Sequence, residues 1–188
     1  DGCTVPHQPI HYTSGDFENI LTVKETARSL FNIEGRIIKQ KNWWHIYLPS
    51  PYKLSRGTRH PITKWLTDLG LGLRHAWEKE ITPLIFKHSN DKVALFLSHL
   101  WATDGNISWK ILKDRQPSAA IFYGSTSPKL SQQVQHLLLR LGIQSTFISI
   151  PQKKLHKTYR PMHYVTIQNK ENQLKFLEYI GCSGERGL

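Results

Sequence analysis

The sequence predicts a mixed α+β protein in which one unit is used twice, and three observations carry that expectation. Ile10-His11-Tyr12-Thr13-Ser14 returns as Ile121-Phe122-Tyr123-Gly124-Ser125, and Trp65-Leu66-Thr67-Asp68-Leu69-Gly70 returns as Phe176-Leu177-Glu178-Tyr179-Ile180-Gly181. Both recurrences are separated by 111 positions, and one shared spacing favours a duplicated unit over two coincidences. Within each copy, helix-period and strand-period apolar patterns follow one another in the same order.

Each copy opens on Asp-Gly and an extended stretch, at Asp1-Gly2 and at Asp104-Gly105. A helix is then expected from Ile20, Val23, Ala27, Leu30 and Phe31 in the first copy, and from Leu130, Val134, Leu137, Leu138 and Leu141 in the second. A strand follows. From Trp43 to Leu48 it sets Trp43, His45 and Tyr47 on one face and Trp44, Ile46 and Leu48 on the other, and in the second copy it runs roughly from His163 to Gln168. A closing helix ends each copy at Gly70 or Gly181, where glycine readily takes the left-handed cap conformation. Pro49-Ser50-Pro51 and the run from Ser55 to His60 form a polar loop, while Thr82-Pro83 and His88-Ser89-Asn90-Asp91 set off the helix that opens the second copy. The expected division is residues 1–90, without an opening helix, and residues 91–188, with one.

Composition narrows the function. With 39% hydrophobic residues and 11% aromatics the chain is not composed like a disordered segment. Its 25 Lys plus Arg against 14 Asp plus Glu leave a net charge of +11, which favours a polyanionic partner, nucleic acid first, over a pocket for acidic metabolites. The two cysteines, Cys3 and Cys182, build neither a disulfide framework nor a Cys-type zinc site, and a reducing, cytoplasmic compartment fits. No apolar run approaches the length of a membrane span, and the start at Asp1, with no Met and no signal layout, is read as the middle of a longer protein.

The segment Ala94 to Gly105 is an apolar helix that ends in a carboxylate and a glycine. Val93, Phe96, Leu97, Leu100 and Trp101 recur at helical spacing and are expected to make one continuous buried face. Asp104 then sits at the carboxyl end, where the helix dipole does not favour an anion but a bound cation would. Gly105 is expected to permit a sharp exit from the helix. Taken alone, such a helix also reads as a core element stopping at an ordinary Asp-Gly turn.

The wider context favours the functional reading. Leu97 to Gly105 resembles the nine-residue motif of the LAGLIDADG homing endonucleases, with Asp104-Gly105 in its last two positions, and the resemblance extends through Ile121–Gly142 and the closing QLKFLEYIG. More narrowly, the opening DGCT, HLWATDG and VQHLLLRLGI resemble the DOD-type endonuclease domains of inteins in replicative DNA helicases. The resemblance implies two pseudo-symmetric αββαββα-type repeats meeting at a central helix interface, with the first motif helix lying upstream of Asp1. It implies a site-specific double-strand endonuclease that is monomeric when complete, with an intein splicing domain and a helicase extein as its parent protein. Asp1 and Asp104 would be the paired catalytic carboxylates and, with Gly2 and Gly105, would hold Mg2+. Hard oxygen ligands suit that ion, which activates water and neutralises phosphate charge. Lys41 and Lys157 are the implied lysines near each active site. One departure is His99, which stands where the motif usually has a small residue.

Each repeat would offer a twisted antiparallel ribbon of the kind that enters a major groove of double-stranded DNA. Candidate DNA-binding residues are His7, Gln8, His11 and Lys39 in the first copy. In the second they are Asn106, Ser108, Lys110, Lys113, Arg115, Gln116, Lys153, Lys154 and Arg160. The tryptophans Trp43, Trp44, Trp65, Trp77 and Trp101 read as core, since a duplex offers no unpaired bases to stack. The ten histidines show no metal-binding spacing. The competing function is a DNA-binding or RNA-splicing accessory module without cleavage, which the presence of both Asp1 and Asp104 disfavours. Splicing by this chain itself fits poorly, because it begins at Asp1 and ends Glu185-Arg186-Gly187-Leu188.

Overall fold

The computed structural model describes residues 2–3, 8–72, 74–111, 113, 118–154 and 157–184; for residues 2, 3, 154, 157 and 158 it describes the backbone alone. The expectations for Asp1, His7, Arg115 and Gln116 therefore lie outside the described residues. Among the described residues there are six α-helices and two four-stranded antiparallel sheets, the mixed α and β architecture expected. Contacts cluster into two units that divide between His75 and Ala76.

The first unit comprises β1 (Gly2–Cys3), β2 (His11–Ser14), α1 (Phe17–Phe31), β3 (Arg36–Lys39), β4 (Trp44–Tyr47) and α2 (Pro61–Asp68). Its sheet has the order β1-β2-β4-β3. Helix α1 starts where the Asp16 carboxylate accepts from the Glu18 amide at 2.9 Å, and it stops at Asn32, whose φ of 52° is left-handed. Ile20 and Ala27 of α1 pack with Ile33, Ile46 and Leu48 into a small core. Leu30, expected on the apolar face of this helix, is exposed: it stands off the stripe that Ile20 and Ala27 define.

The second unit begins with a 3-10 turn (Ala76–Glu78) and continues through α3 (Pro83–Lys87), α4 (Asn90–Asp104), β5 (Gly105–Lys110), β6 (Ser118–Ser125), α5 (Pro128–Arg140), β7 (Thr146–Lys154), β8 (Lys157–Ile167) and α6 (Lys170–Tyr179). From α4 onward this is one complete αββαββα unit, with sheet order β5-β6-β8-β7. Its core joins Val93, Leu97 and Trp101 of α4, Ile121 and Tyr123 of β6, Val134, Leu137 and Leu138 of α5, and Phe176 of α6. Burial in α4 follows Val93, Ala94, Leu97, Ser98, Trp101 and Ala102, while Phe96 and Leu100 are only half-buried. The buried stripe is thus rotated from the expected face toward Ala94, Ser98 and Ala102, and Ser98 Oγ lies 3.0 Å from Ser183 Oγ in the segment after α6.

The duplication is visible in the strand registers. In the first sheet one row runs Gly2–Tyr12–Ile46–Ile37, and in the second the matching row runs Gly105–Tyr123–Val165–Phe147. Tyr12 and Tyr123 therefore occupy like places in like strands. Gly70 and Gly181, at φ of +74° and +60°, follow α2 and α6 as left-handed caps. Two features differ between the copies. The β3–β4 hairpin has four-residue strands, whereas β7 and β8 run for 9 and 11 residues. The units also divide fifteen residues before the boundary at 90/91 read from the sequence, because the segment before α4 is stitched to the second unit. Ser127 donates to the Lys79 carbonyl at 2.7 Å, Gln133 brackets Ile81, and Arg140 donates to the Phe86 and His88 carbonyls at 2.8 and 2.6 Å and to Asn90 Oδ1 at 3.0 Å.

Candidate functional site

Asp104 is the last residue of α4 and its side chain is exposed, with Thr103 Oγ1 donating to Oδ2 at 3.3 Å. The carboxylate is set by what surrounds its backbone. Trp101, one turn earlier, is fully buried between Tyr123 and Phe176, with ring centroids 5.7 and 4.7 Å away. Gly105 follows with φ −86°, a conformation open to any residue, so its role is not the expected conformational freedom. A Cβ there would stand 2.3 Å from Trp101 Cδ1 and 2.6 Å from the Trp101 carbonyl oxygen. Glycine is needed so that β5 can leave directly over the tryptophan, which puts Asp104 at the joint of helix and sheet.

Tyr123 pairs with Gly105 across β5 and β6, and its phenol is pushed up from its ordinary pKa, chiefly by burial and further by the Asp104 charge, against a smaller opposing hydrogen bond with Ser125. At neutral pH it is a neutral hydrogen-bonding group beside an anion and cannot serve as a general base. Asp104 is thus the acidic group that the second unit presents at this joint. In the first unit the equivalent Gly2 pairs with Tyr12, the same backbone frame.

Among the described residues no group of three or more His, Cys, Asp and Glu side chains could enclose a metal ion. A single carboxylate at an open edge fits a hard divalent cation that keeps waters and takes its other ligands from a phosphate. Asp104, with the Gly105 carbonyl beside it, has the donor chemistry for that role.

The two lysines expected at equivalent places are not register matches. Lys41 lies in the β3–β4 turn, three residues past Ile38, whereas Lys157 lies at the tip of the β7–β8 hairpin opposite Lys154. Seven residues of strand separate Lys157 from Tyr164, a run of roughly 20 Å at the usual rise. Counting back from the matched pair His45 and Tyr164, the counterpart of Lys41 is Arg160, whose guanidinium lies 4.0 Å from the centroid of the Trp77 ring.

The outward face of the first sheet carries His11, Thr13, His45 and Tyr47 in adjacent rows, with the Arg36 guanidinium 5.6 Å over the Tyr47 ring. Trp43 Nε1, which can only donate, reaches His45 Nε2 at 3.2 Å, so His45 carries its proton on Nδ1 and donates to Thr13 Oγ1 at 2.7 Å. His11 Nδ1 donates to the Pro9 carbonyl at 2.9 Å, which leaves Nε2 to face outward. Gln8 is exposed just before this strand. Lys39 falls on the opposite face by strand parity, its ammonium 4.9 Å over the Trp44 ring.

In the second sheet Asn106, Ser108 and Lys110 share the outward face of β5. Asn106 Nδ2 donates to Ser108 Oγ and the Ala120 carbonyl, both at 2.9 Å, so its two amide hydrogens are used and Oδ1 is the atom it offers outward. Lys113 is exposed beyond β5, Lys153 is exposed near the hairpin tip, and the Lys154 backbone lies at that tip. Sequence reasoning missed Arg36, Thr13, His45 and Tyr47 as one surface, and Phe122, Tyr164, Ile148 and Ile150 as another. The alternation of Trp43 to Leu48 pointed to the first group; which strand lies beside it is not local information. Trp101 is core as expected and Trp44 is half-buried. Trp43, Trp65 and Trp77, expected in the core, are 41%, 46% and 37% exposed.

The family profile of the LAGLIDADG-like domain matches residues 91–181. The chain is 38% identical over 189 aligned residues to part of the replicative DNA helicase DnaB of Rhodothermus marinus, a match covering 99% of this chain and 19% of that protein. It is also 28% identical over 160 residues to part of a glutamine–fructose-6-phosphate aminotransferase of Methanocaldococcus jannaschii, covering 84% of this chain and 13% of that protein. The chain thus spans about a fifth or less of the length of these curated relatives. Among solved structures, I-DmoI in complex with DNA and Mn superposes with a TM-score of 0.57 at 14% identity, covering 91% of this chain and 79% of that one. The complex of I-DmoI with DNA and Ca gives 0.57 at 12% identity, covering 96% and 80%. Helix α4 with its terminal Asp104, the repeated sheet registers and these likenesses identify residues 91–181 as a LAGLIDADG-like domain and the fold as that of the LAGLIDADG homing endonucleases.

Proposed function

We propose that this chain is the DNA-cleaving part of an intein carried in a replicative DNA helicase, a site-specific endonuclease that hydrolyses both strands of its target with divalent metal, Mg2+ in the cell. The observation that carries the reading is Asp104, an exposed carboxylate fixed at a helix-to-sheet joint, with the Gly2–Tyr12 pair in the first unit repeating the strand pairing of Gly105 and Tyr123. Segments similar to this chain lie within a helicase and within an aminotransferase, proteins of unrelated chemistry. An inserted element would leave that pattern. The relatives of this fold, I-DmoI with DNA and with Mn or Ca, support a duplex partner and a divalent cation.

Asp104 and its counterpart Asp1, with the carbonyls of Gly105 and Gly2, would hold the cation. When bound, it would supply activation of water and neutralisation of charge on the scissile phosphate. The chain's own work is to fix the Asp104 carboxylate through the Trp101–Gly105 contact and to hold the duplex by Lys and Arg on the sheets and hairpin. Lys41 and Lys157 are the lysines assigned to the two active sites, with Arg160, which stands four residues before Tyr164 as Lys41 stands four before His45, as a further candidate in the second unit. The complete protein acts as a monomer in the cytoplasm, since two units in one chain already supply two strand-cutting halves.

The test is cleavage of a supercoiled plasmid bearing the uninterrupted helicase-gene junction by the full protein that contains this chain. Linear product dependent on Mg2+, absent from a plasmid without the junction, is the expected result. Tight duplex binding with no cleavage under any divalent cation would replace this reading with that of a binding module.

A further inference from the structure

The two sheets share one register but present different chemistry. Where the first carries His11, Thr13, His45 and Tyr47, the matched positions of the second are Phe122, Gly124, Tyr164 and Thr166. Outward positions of an antiparallel sheet with one wet face are ordinarily polar. Here Phe122, Tyr164, Ile148 and Ile150 form a contiguous apolar surface, with the two isoleucines 41% and 45% exposed. The surface is built and not incidental. A Cβ at Gly124 would stand 3.1 Å from Tyr164 Cε1, so the tyrosine ring lies against the glycine, and Phe122 meets it edge-on at 5.6 Å. Exposed apolar patches of this kind mark interaction sites.

What surrounds the patch selects its partner. Lys110 flanks it at the end of β5, and the ribbon of β7 and β8 that carries Ile148 and Ile150 continues into Lys153 and Arg160. Cations on both sides of an apolar strip suit a duplex groove, with phosphates at its walls and apolar groups on its floor. In the major groove that apolar group is the thymine 5-methyl. We propose that the second sheet reads its half-site through thymine methyl groups, whereas the first reads through hydrogen bonds from His11, Thr13 and Arg36. This inference rests on the reading of the chain as a duplex-binding nuclease.

Replacing thymine by deoxyuridine removes the methyl and nothing else. Binding of the full protein to a duplex spanning the uninterrupted helicase-gene junction is measured in Ca2+, with uracil substituted in one half-site at a time. Substitution in one half is expected to weaken binding about tenfold, from two or three lost methyl contacts, and substitution in the other to change it less than twofold. The variant carrying Ile148→Ser and Ile150→Ser is expected to bind the thymine duplex more weakly and to lose its sensitivity to uracil in that half. If the duplex binds well but uracil is neutral in both halves, or acts equally in both, the thymine reading is overturned and the nuclease reading stands. Uracil sensitivity that persists in the variant overturns it too. Failure to bind any duplex removes both readings.

Discussion

Asp104 and Gly105 act as a pair, the first by what it offers outward and the second by what it lacks. Asp104→Asn keeps the size of the side chain and removes its charge. Cleavage of one strand should fall by orders of magnitude, while duplex affinity holds or rises slightly, since most affinity comes from spread cations and a nearby negative charge is lost. A supercoiled plasmid reports this directly: the variant yields nicked circles or no product, and linear product at the wild-type rate would remove Asp104 from the mechanism. Gly105→Ala places a methyl 2.3 Å from Trp101 Cδ1 and against backbone at 2.6 Å, where little can shift. Overpacking of that kind costs about 1–3 kcal/mol. A denaturant midpoint unchanged from wild type would contradict the contact. The Asp-Gly pair itself was legible in the sequence; the reason for its glycine was not, because only the folded chain shows the tryptophan beneath it.

At the level of elements, helices were read more reliably than the faces they bury. The spacing of Leu130, Val134, Leu137 and Leu138 placed α5 correctly, as all four are buried. The same reasoning misassigned Leu30, because a one-dimensional period does not say how wide the covered stripe is. Hairpin length was invisible: β7 and β8 extend far beyond β3 and β4, and no periodic signal marks where pairing stops. That ribbon carries a prediction of its own. Lys153→Ala with Arg160→Ala should weaken duplex binding nearly uniformly across sequences and make the slope of log affinity against log salt shallower by about 2. An unchanged slope would place the hairpin away from phosphates. Because Arg160 also lies over Trp77, its replacement by Lys is a milder probe that keeps the charge and loses the planar stack.

For the molecule as a whole, the duplication was the most legible property, and the strand registers repeat it row by row. Less legible was the division between units. Composition breaks near His88 suggested residue 90, but Arg140, fifty residues downstream, ties Phe86, His88 and Asn90 to the second unit, and long-range bonds of that sort leave no local trace. The net charge of +11 is spread over both units, so duplex affinity should fall steeply with salt, by about a thousandfold or more between 50 and 200 mM if six or more phosphates are neutralised. An affinity flat over that range would mean that the charge faces something other than DNA.

The pleat of the second sheet also separates two lines of inheritance. Ile121, Tyr123, Val165 and Ile167 point into the core, and every change there is judged by packing. Their immediate neighbours Phe122, Tyr164 and Thr166 point away, where packing exerts far less control. If this sheet reads DNA as proposed, a lineage that meets a drifted target can change outward codons along these strands at a smaller cost to the fold than inward ones. Gly124 is coupled to one of these outward positions, because a Cβ there would stand 3.1 Å from Tyr164 Cε1, so a larger residue at 124 calls for a shift or a change of the tyrosine ring.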